Sequence, residues 1–242
     1  MILTTQDGSH HTGCGSDQHQ YGGSFHGDKC KGGWSCGSIP VMRLSIDHVL
    51  FCVDGLEEAG AELERRFNLA SLPGGRHTGH GTANRIVPLG SSYLELVAVL
   101  DPEEALSSSF GNWVAARAAG GLEPHAICLR TDDLNAVCDR LGLAAVTMSR
   151  IKPDGSELRW RLAGLENMIS RGTPFYIEWE IDPARHPAKS SAAVDVQVEA
   201  TLRGDRELLE SWTAGTEGIS VEAGEPGVAS VVLRLSHAVY RL

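Results

Sequence analysis

The sequence predicts an α+β fold in which one order of elements, a strand, a helix, then two or three strands, is written twice. Two pairs of matching segments carry this reading. "SIDHVLFCVDGL" (45–56) and "EPHAICLRTDDL" (123–134) each set a histidine near the start of an apolar alternating run that leads into a helix-like segment. "SYLELVAVLDP" (92–102) and "FYIEWEIDP" (175–183) close the two copies alike, with Tyr-x-Glu in a β-rich run followed by Asp-Pro. A third observation is that the chain after Pro187 offers one more partial unit, βαββ in order.

The elements follow from the pattern of apolar residues. Strict alternation places Ile46, His48, Leu50 and Cys52 on one strand face, and Asp47, Val49, Phe51 and Val53 on the other. Both faces are largely apolar, as in a strand covered on both sides. Leu56, Ala59, Leu63 and Phe67 then recur at helical spacing. In the second copy His125, Ile127 and Leu129 share a strand face. Asp132 or Asp133 caps a helix with the stripe Leu134, Val137 and Leu141. Further strands are expected at 82–90 in the first copy, and at 144–151 and 156–164 in the second. The resulting organisation is a first module over 42–101, a helical linker over 102–121, a second module over 122–190 and a C-terminal unit over 191–242 packed on the same domain. Residues 1–41 are rich in Gly, Ser and His with no sustained period, which predicts a disordered tail; Met42 opens the globular pattern and is a candidate start. Cys14, His19, His26, Cys30 and Cys36 in that tail match no paired metal-ligand spacing.

Bulk properties exclude several function classes. The net charge of −10 over 242 residues is spread along the chain, against a nucleic-acid surface, which needs clustered Lys and Arg. No stretch has the apolar length of a membrane span, and no secretory pattern opens the chain. Six cysteines without a framework spacing make a reducing cytoplasm the default. The C-terminal unit completes a sheet edge or offers a homodimer surface.

Four polar positions stand out. A carboxylate on an apolar strand face is costly to bury unless it is paired or bound to a metal. Glu95 lies among Leu94, Leu96 and Val97, and Glu178 among Tyr176, Ile177 and Trp179. Singly, each Glu reads as solvated and each His as a satisfied core residue. Together, two His and two Glu recur at matching places and point to a divalent metal if the halves form one sheet. The "GGRHTGHGTANR" stretch (74–85) adds tight-turn glycines and several polar side chains. Arg76, His77, Asn84 and Arg85 are its candidate substrate-binding residues, an arginine there being suited to clamping a carboxylate or phosphate. Arg159 and Arg161 share a strand face and read as outward-facing, and Cys52, Cys128, Trp113, Trp160 and His186 read as packing or structural residues.

These segments together resemble the metal-bearing strands of the vicinal oxygen chelate superfamily, and "PGGRHTGHGTANRIVPLGSSYLEL" (73–96) is similar to its glyoxalase-like domains. The resemblance covers roughly 44–187. It implies paired βαβββ modules forming a cupped mixed sheet, and one divalent ion, Zn, Ni, Co, Mn or Fe, bound by His48, Glu95, His125 and Glu178. It also implies a small oxygenated substrate and lyase or isomerase proton chemistry, with Glu178 as the base. Two alternatives stay open. One is an extradiol-type dioxygenase with the triad His48, His125 and Glu178. The other is a non-catalytic binding protein of the bleomycin-resistance type, which scattered ligands or an aromatic-lined cup would favour.

Overall fold

The computed structural model describes residues 43–151, 155–190 and 192–242, so the expected tail over 1–41 lies outside the described residues. The first module runs β1 (Leu44–Cys52), α1 (Leu56–Phe67), β2 (Leu72–His77), β3 (Thr82–Pro88) and β4 (Tyr93–Val99). The linker holds α2 (Pro102–Leu106) and α3 (Ser109–Ala115). The second module runs β5 (Ala126–Thr131), α4 (Leu134–Leu141), β6 (Ala145–Ile151), β7 (Glu157–Ala163), α5 (Leu165–Arg171) and β8 (Phe175–Trp179). The C-terminal unit runs β9 (Gln197–Gly204), α6 (Arg206–Thr213), β10 (Ile219–Ala223), β11 (Gly227–Arg234) and β12 (Val239–Arg241).

The two modules share one eight-stranded sheet in the order β2-β3-β4-β1-β5-β8-β7-β6. β1 pairs parallel with β4, β5 parallel with β8, and β1 antiparallel with β5. The halves are therefore related by an approximate twofold at the β1–β5 seam. The edges β2 and β6 approach each other, so the curved sheet nearly closes into a cup. The predicted paired βαβββ architecture is the one observed. The C-terminal unit makes its own sheet, in the order β10-β9-β11-β12, one strand more than the βαββ unit expected.

The central strands of the large sheet serve two cores, which is why they are apolar on both faces. The outer core takes Val49 and Phe51 from β1, Leu94 and Leu96 from β4, Leu63 from α1, and Leu209 and Trp212 from α6. The inner core takes Leu50, Cys52, Val97, Cys128, Trp160 and Phe175, and α3 covers it with Phe110 and Trp113. Local signals set the helix starts: Asp133 caps α4 by accepting from Ala136 N, and Asp205 caps α6 by accepting from Leu208 N. Gly81, at φ +63°, is required twice over, because a Cβ there would strike the backbone of Asp101 and Ala105 where the β2–β3 turn meets α2. No helix among the described residues is long and apolar enough to cross a membrane.

One departure from the sequence reading matters for everything below. β1 does not alternate throughout. Ile46 pairs with Leu129 and His48 with Cys128, so Asp47 is the extra residue of a β-bulge. Ile46 consequently joins Val49 and Phe51 in the outer core, and not His48.

The C-terminal unit is anchored by Trp212, which is 4 % exposed, stacks on Tyr176 at 5.8 Å and accepts the Tyr176 hydroxyl at its carbonyl at 2.6 Å. Trp212→Ala is expected to cost about 3–5 kcal/mol in urea unfolding. Ligand binding in the cup, on the opposite face of the sheet, is expected to survive below the transition.

Candidate functional site

The cup encloses about 600 Å³ of empty space, counted out to its mouth. Its walls are apolar, with Phe110, Met148, Trp160, Phe175, Ile177 and Trp179 prominent. Its polar residues are His48, His77, His80, Asn84, Glu95 and Arg150. Those side chains converge because β1, β2, β3, β4 and β6 turn alternate residues inward, with His80 added from the β2–β3 turn.

Glu95 is the centre of this polar patch and is 7 % exposed. His48 Nε2 lies 3.2 Å from its Oε2, and His77 Nε2 lies 3.5 Å from its Oε1. Asn84 Nδ2 also donates to Oε1. Burial alone would push the Glu95 carboxyl up. The hydrogen bond from His77, the charges of His48 and His77 and the Asn84 bond outweigh it and hold the group at about 2. Asn84 is itself fixed, since its Oδ1 accepts from Gly75 N at 2.8 Å and from Arg150 Nη1 at 2.9 Å. Gly74 makes room for it, because a Cβ there would collide with the Asn84 carboxamide.

Behind His48 sits Asp47, fully buried. Its Oδ1 lies 2.8 Å from His48 Nδ1. Its Oδ2 accepts from Trp179 Nε1 at 3.0 Å and lies 3.0 Å from His186 Nε2. Ala188 N donates to His186 Nδ1 at 3.2 Å, so Nε2 carries the His186 proton and donates it to Asp47. Arg130 Nη1, 3.4 Å from Asp47 Oδ2 and 3.2 Å from His186 Nε2, is then a third donor crowding the same oxygen. Burial favours the neutral acid, but the His186 and His48 hydrogen bonds keep Asp47 ionised well below the usual carboxylate range. With its Nδ1 turned to Asp47, His48 presents Nε2 to Glu95. A proton on that nitrogen, or a cation shared with the carboxylate, answers the 3.2 Å between them.

The predicted site residues divide accordingly. His48, Glu95, His77 and Asn84 come together. His125 does not join them: it precedes β5, and its Nδ1 accepts from Cys52 N at 3.2 Å beside Trp113. Burial and then the Arg117 charge push His125 down. Glu178 lies on the outer face, where Arg161 Nη1 donates to its Oε2 at 2.9 Å and Leu134 N approaches its Oε1 at 3.4 Å. It therefore reaches neither the cup nor His48, and the base role expected for it has no geometric basis. Arg76 pairs with Asp101 and Glu104 at the surface. Arg85 turns outward to Glu57 and Ser71. Arg159 and Arg161 are outward-facing, as their alternation implied.

Register explains both misplaced ligands. His48 stands eight residues before Leu56, the first residue of α1, and the residue eight before Leu134, the first of α4, is Ala126. Leu50 pairs with Glu95, and its equivalent Cys128 pairs with Phe175. The second module thus offers Ala126 and Phe175 where the first offers His48 and Glu95. His125 and Glu178 each miss the inner face because side chains alternate with period two. Arg150, Tyr93, Trp179 and His186 also belong to the site and were not marked as such by the sequence. For Arg150 and Trp179 the available signal was the inward alternation with Met148 and Ile177.

The donor chemistry fits a divalent ion at the first-module half only. Two ligands about 2.1 Å from one ion at a tetrahedral angle sit roughly 3.4 Å apart, close to the His48–Glu95 separation. An Asp behind a ligand His is the usual orienting arrangement. Asp47, His48 and Cys128 also place one ligand atom each within 4.8 Å of one another. That group is the weaker candidate. The Asp47 oxygens are already taken by donors, and burial holds the Cys128 thiol well above its usual value, as a neutral thiol.

Asp47→Ala is expected to destabilise the fold by about 3–5 kcal/mol, because it strands the His48, His186 and Trp179 donors in a buried site. Thermal unfolding followed by tryptophan emission checks this.

Residues 46–214, more than half of the chain, match the family model described as a glyoxalase-like domain. No curated protein matches. A hypothetical protein from Staphylococcus aureus superposes with a TM-score of 0.61 at 17 % identity, over 82 % of this chain and 98 % of that one. A methylmalonyl-CoA epimerase from Mycobacterium tuberculosis aligns at 20 % identity and a TM-score of 0.41, over 57 % of this chain and 89 % of its own. The methylmalonyl-CoA epimerase of Streptomyces coelicolor aligns at 16 % and 0.40, over 56 % and 95 %. With its paired modules and cup already described, the chain belongs to the glyoxalase-like domain family of the vicinal oxygen chelate superfamily.

Proposed function

We propose that this protein is an enzyme that binds a small oxygenated molecule in the cup and moves a proton on it, with a divalent cation held by His48 and Glu95. The observation that carries the reading is His48 Nε2 set 3.2 Å from an ionised, buried Glu95 carboxylate. A cation bound there would polarise a substrate carbonyl and ease loss of a neighbouring proton. The chain's own groups do the rest. Asp47 fixes the His48 ring and its tautomer. Asn84 holds the Glu95 carboxylate in place. His77 sits on the other side of Glu95, with its Nδ1 2.9 Å from Thr82 Oγ1, and is the group placed to pass a proton to or from the mouth of the cup. The apolar walls exclude water from the reacting carbon.

The set His48, His77 and Glu95 is also a two-histidine, one-carboxylate composition, so an iron-dependent variant would draw on these residues and not on His125 and Glu178. A second reading is favoured by a specific observation. The cup is walled by Tyr93, Phe110, Trp160, Phe175 and Trp179, and the second-module ligand positions are filled by Ala126 and Phe175. Those features suit a protein that sequesters an apolar molecule without turning it over. The free Cys52, Cys128 and Cys138 among the described residues suit a reducing compartment.

Elemental analysis of protein purified without a nickel column separates the readings. We expect about one equivalent of Zn, Ni, Co, Mn or Fe, lost in His48→Ala and in Glu95→Gln and unchanged in His125→Ala and Glu178→Ala. Protein that takes up no metal under any loading condition overturns the metal-dependent reading and favours sequestration.

A further inference from the structure

One cation in the cup is not used by the proton chemistry. Arg150 projects inward from β6 beside Met148, and its Nη1 donates to Asn84 Oδ1 at 2.9 Å. That acceptor is neutral and already shared with Gly75 N. Among the described residues no carboxylate stands within ion-pair distance of Arg150. A guanidinium partly enclosed by apolar walls and answered by an amide oxygen is an anion site in waiting.

The walls beside it are the second observation. Trp160 and Trp179 line the same cup with ring centres 5.5 Å apart, and Phe175 and Ile177 extend that apolar side.

The geometry points to a small monocarboxylic acid with an apolar, aromatic-sized body as the ligand of the cup, its carboxylate held by Arg150 and its body against Trp160 and Trp179. The remaining charges permit this. Glu95, the acidic group facing that position, is offset by His48 and His77 and screened by Asn84, whose two ends bind Arg150 and Glu95. A carboxylate on Arg150 therefore sets the adjacent carbon toward His48 and Glu95. Only that last placement rests on the function proposed above; the binding itself does not.

The test is a tryptophan-fluorescence titration with 3-phenylpropanoate, its uncharged amide 3-phenylpropanamide, and acetate. The intact protein is expected to bind the acid roughly 10- to 100-fold more tightly than the amide. Acetate, with the head and no body, binds weakly. Arg150→Gln erases the preference for the acid, and Arg150→Lys keeps part of it. Protein treated with a chelator keeps the preference, so failure of the metal reading is seen separately. Equal binding of acid and amide, no binding of either, or a preference that survives Arg150→Gln overturns the inference. So does a preference lost on chelation and kept in Arg150→Gln, because the carboxylate would then be reading the cation. Should Arg150→Gln not fold, Arg150→Lys and the comparison of acid with amide on the intact protein still decide the matter.

Discussion

The rest of the site depends on keeping the Asp47 carboxylate charged where no water reaches it. An unpaired buried carboxylate costs several kcal/mol even after relaxation. Asp47 avoids that cost through donors from four parts of the chain: His48 beside it, Arg130 from β5, Trp179 from the end of β8, and His186 beyond it. Each donor ties a different segment to β1. The same satisfaction that makes the charge tolerable therefore fixes the His48 ring, and with it the direction of Nε2. The bulge makes this possible, since without the extra residue Asp47 and His48 would point to opposite faces.

The approximate twofold of the fold is broken in its chemistry. Position for position, the first module presents His and Glu on the inner face, and the second presents Ala126 and Phe175. One half of the cup is thus a polar floor, and the other an apolar wall built by Met148, Trp160, Leu162 and Ile177. A molecule filling the cup meets charge and hydrogen bonds on one side and rings on the other. That asymmetry favours ligands that are themselves amphipathic.

The fold was readable in the sequence because it rests on repeated, local signals: period-two strands, two capped helices, and a closing Asp-Pro in each half. His48 and Glu95 were readable too, as polar residues that apolar strands could not carry without a reason. What failed was register. His125 looked like the partner of His48 because both precede an apolar run, yet a shift of one residue takes a side chain out of the cup. The Tyr-x-Glu of β8 copies that of β4 in letters, but pairing places Phe175, not Glu178, opposite the position equivalent to Leu50. Arg150 was invisible for a different reason. Its role arises from the approach of β6 to the β2–β3 edge, a contact between segments far apart in the chain that no local pattern encodes.

That contact runs through Asn84, and its chemistry explains why an amide is found there. The side chain must accept twice, from Gly75 N and Arg150, and donate toward Glu95. An aspartate could serve the two donors but would set a second negative charge against Glu95, and an apolar residue would leave Glu95 Oε1 with His77 alone. Only a carboxamide has an oxygen for one side and an N–H for the other. Asn84 therefore joins the two edges of the sheet and orients the Glu95 carboxylate in a single group. Closure of the cup and the aim of its carboxylate are consequently one structural event: whatever displaces Arg150 from Asn84 also loosens the hold on Glu95.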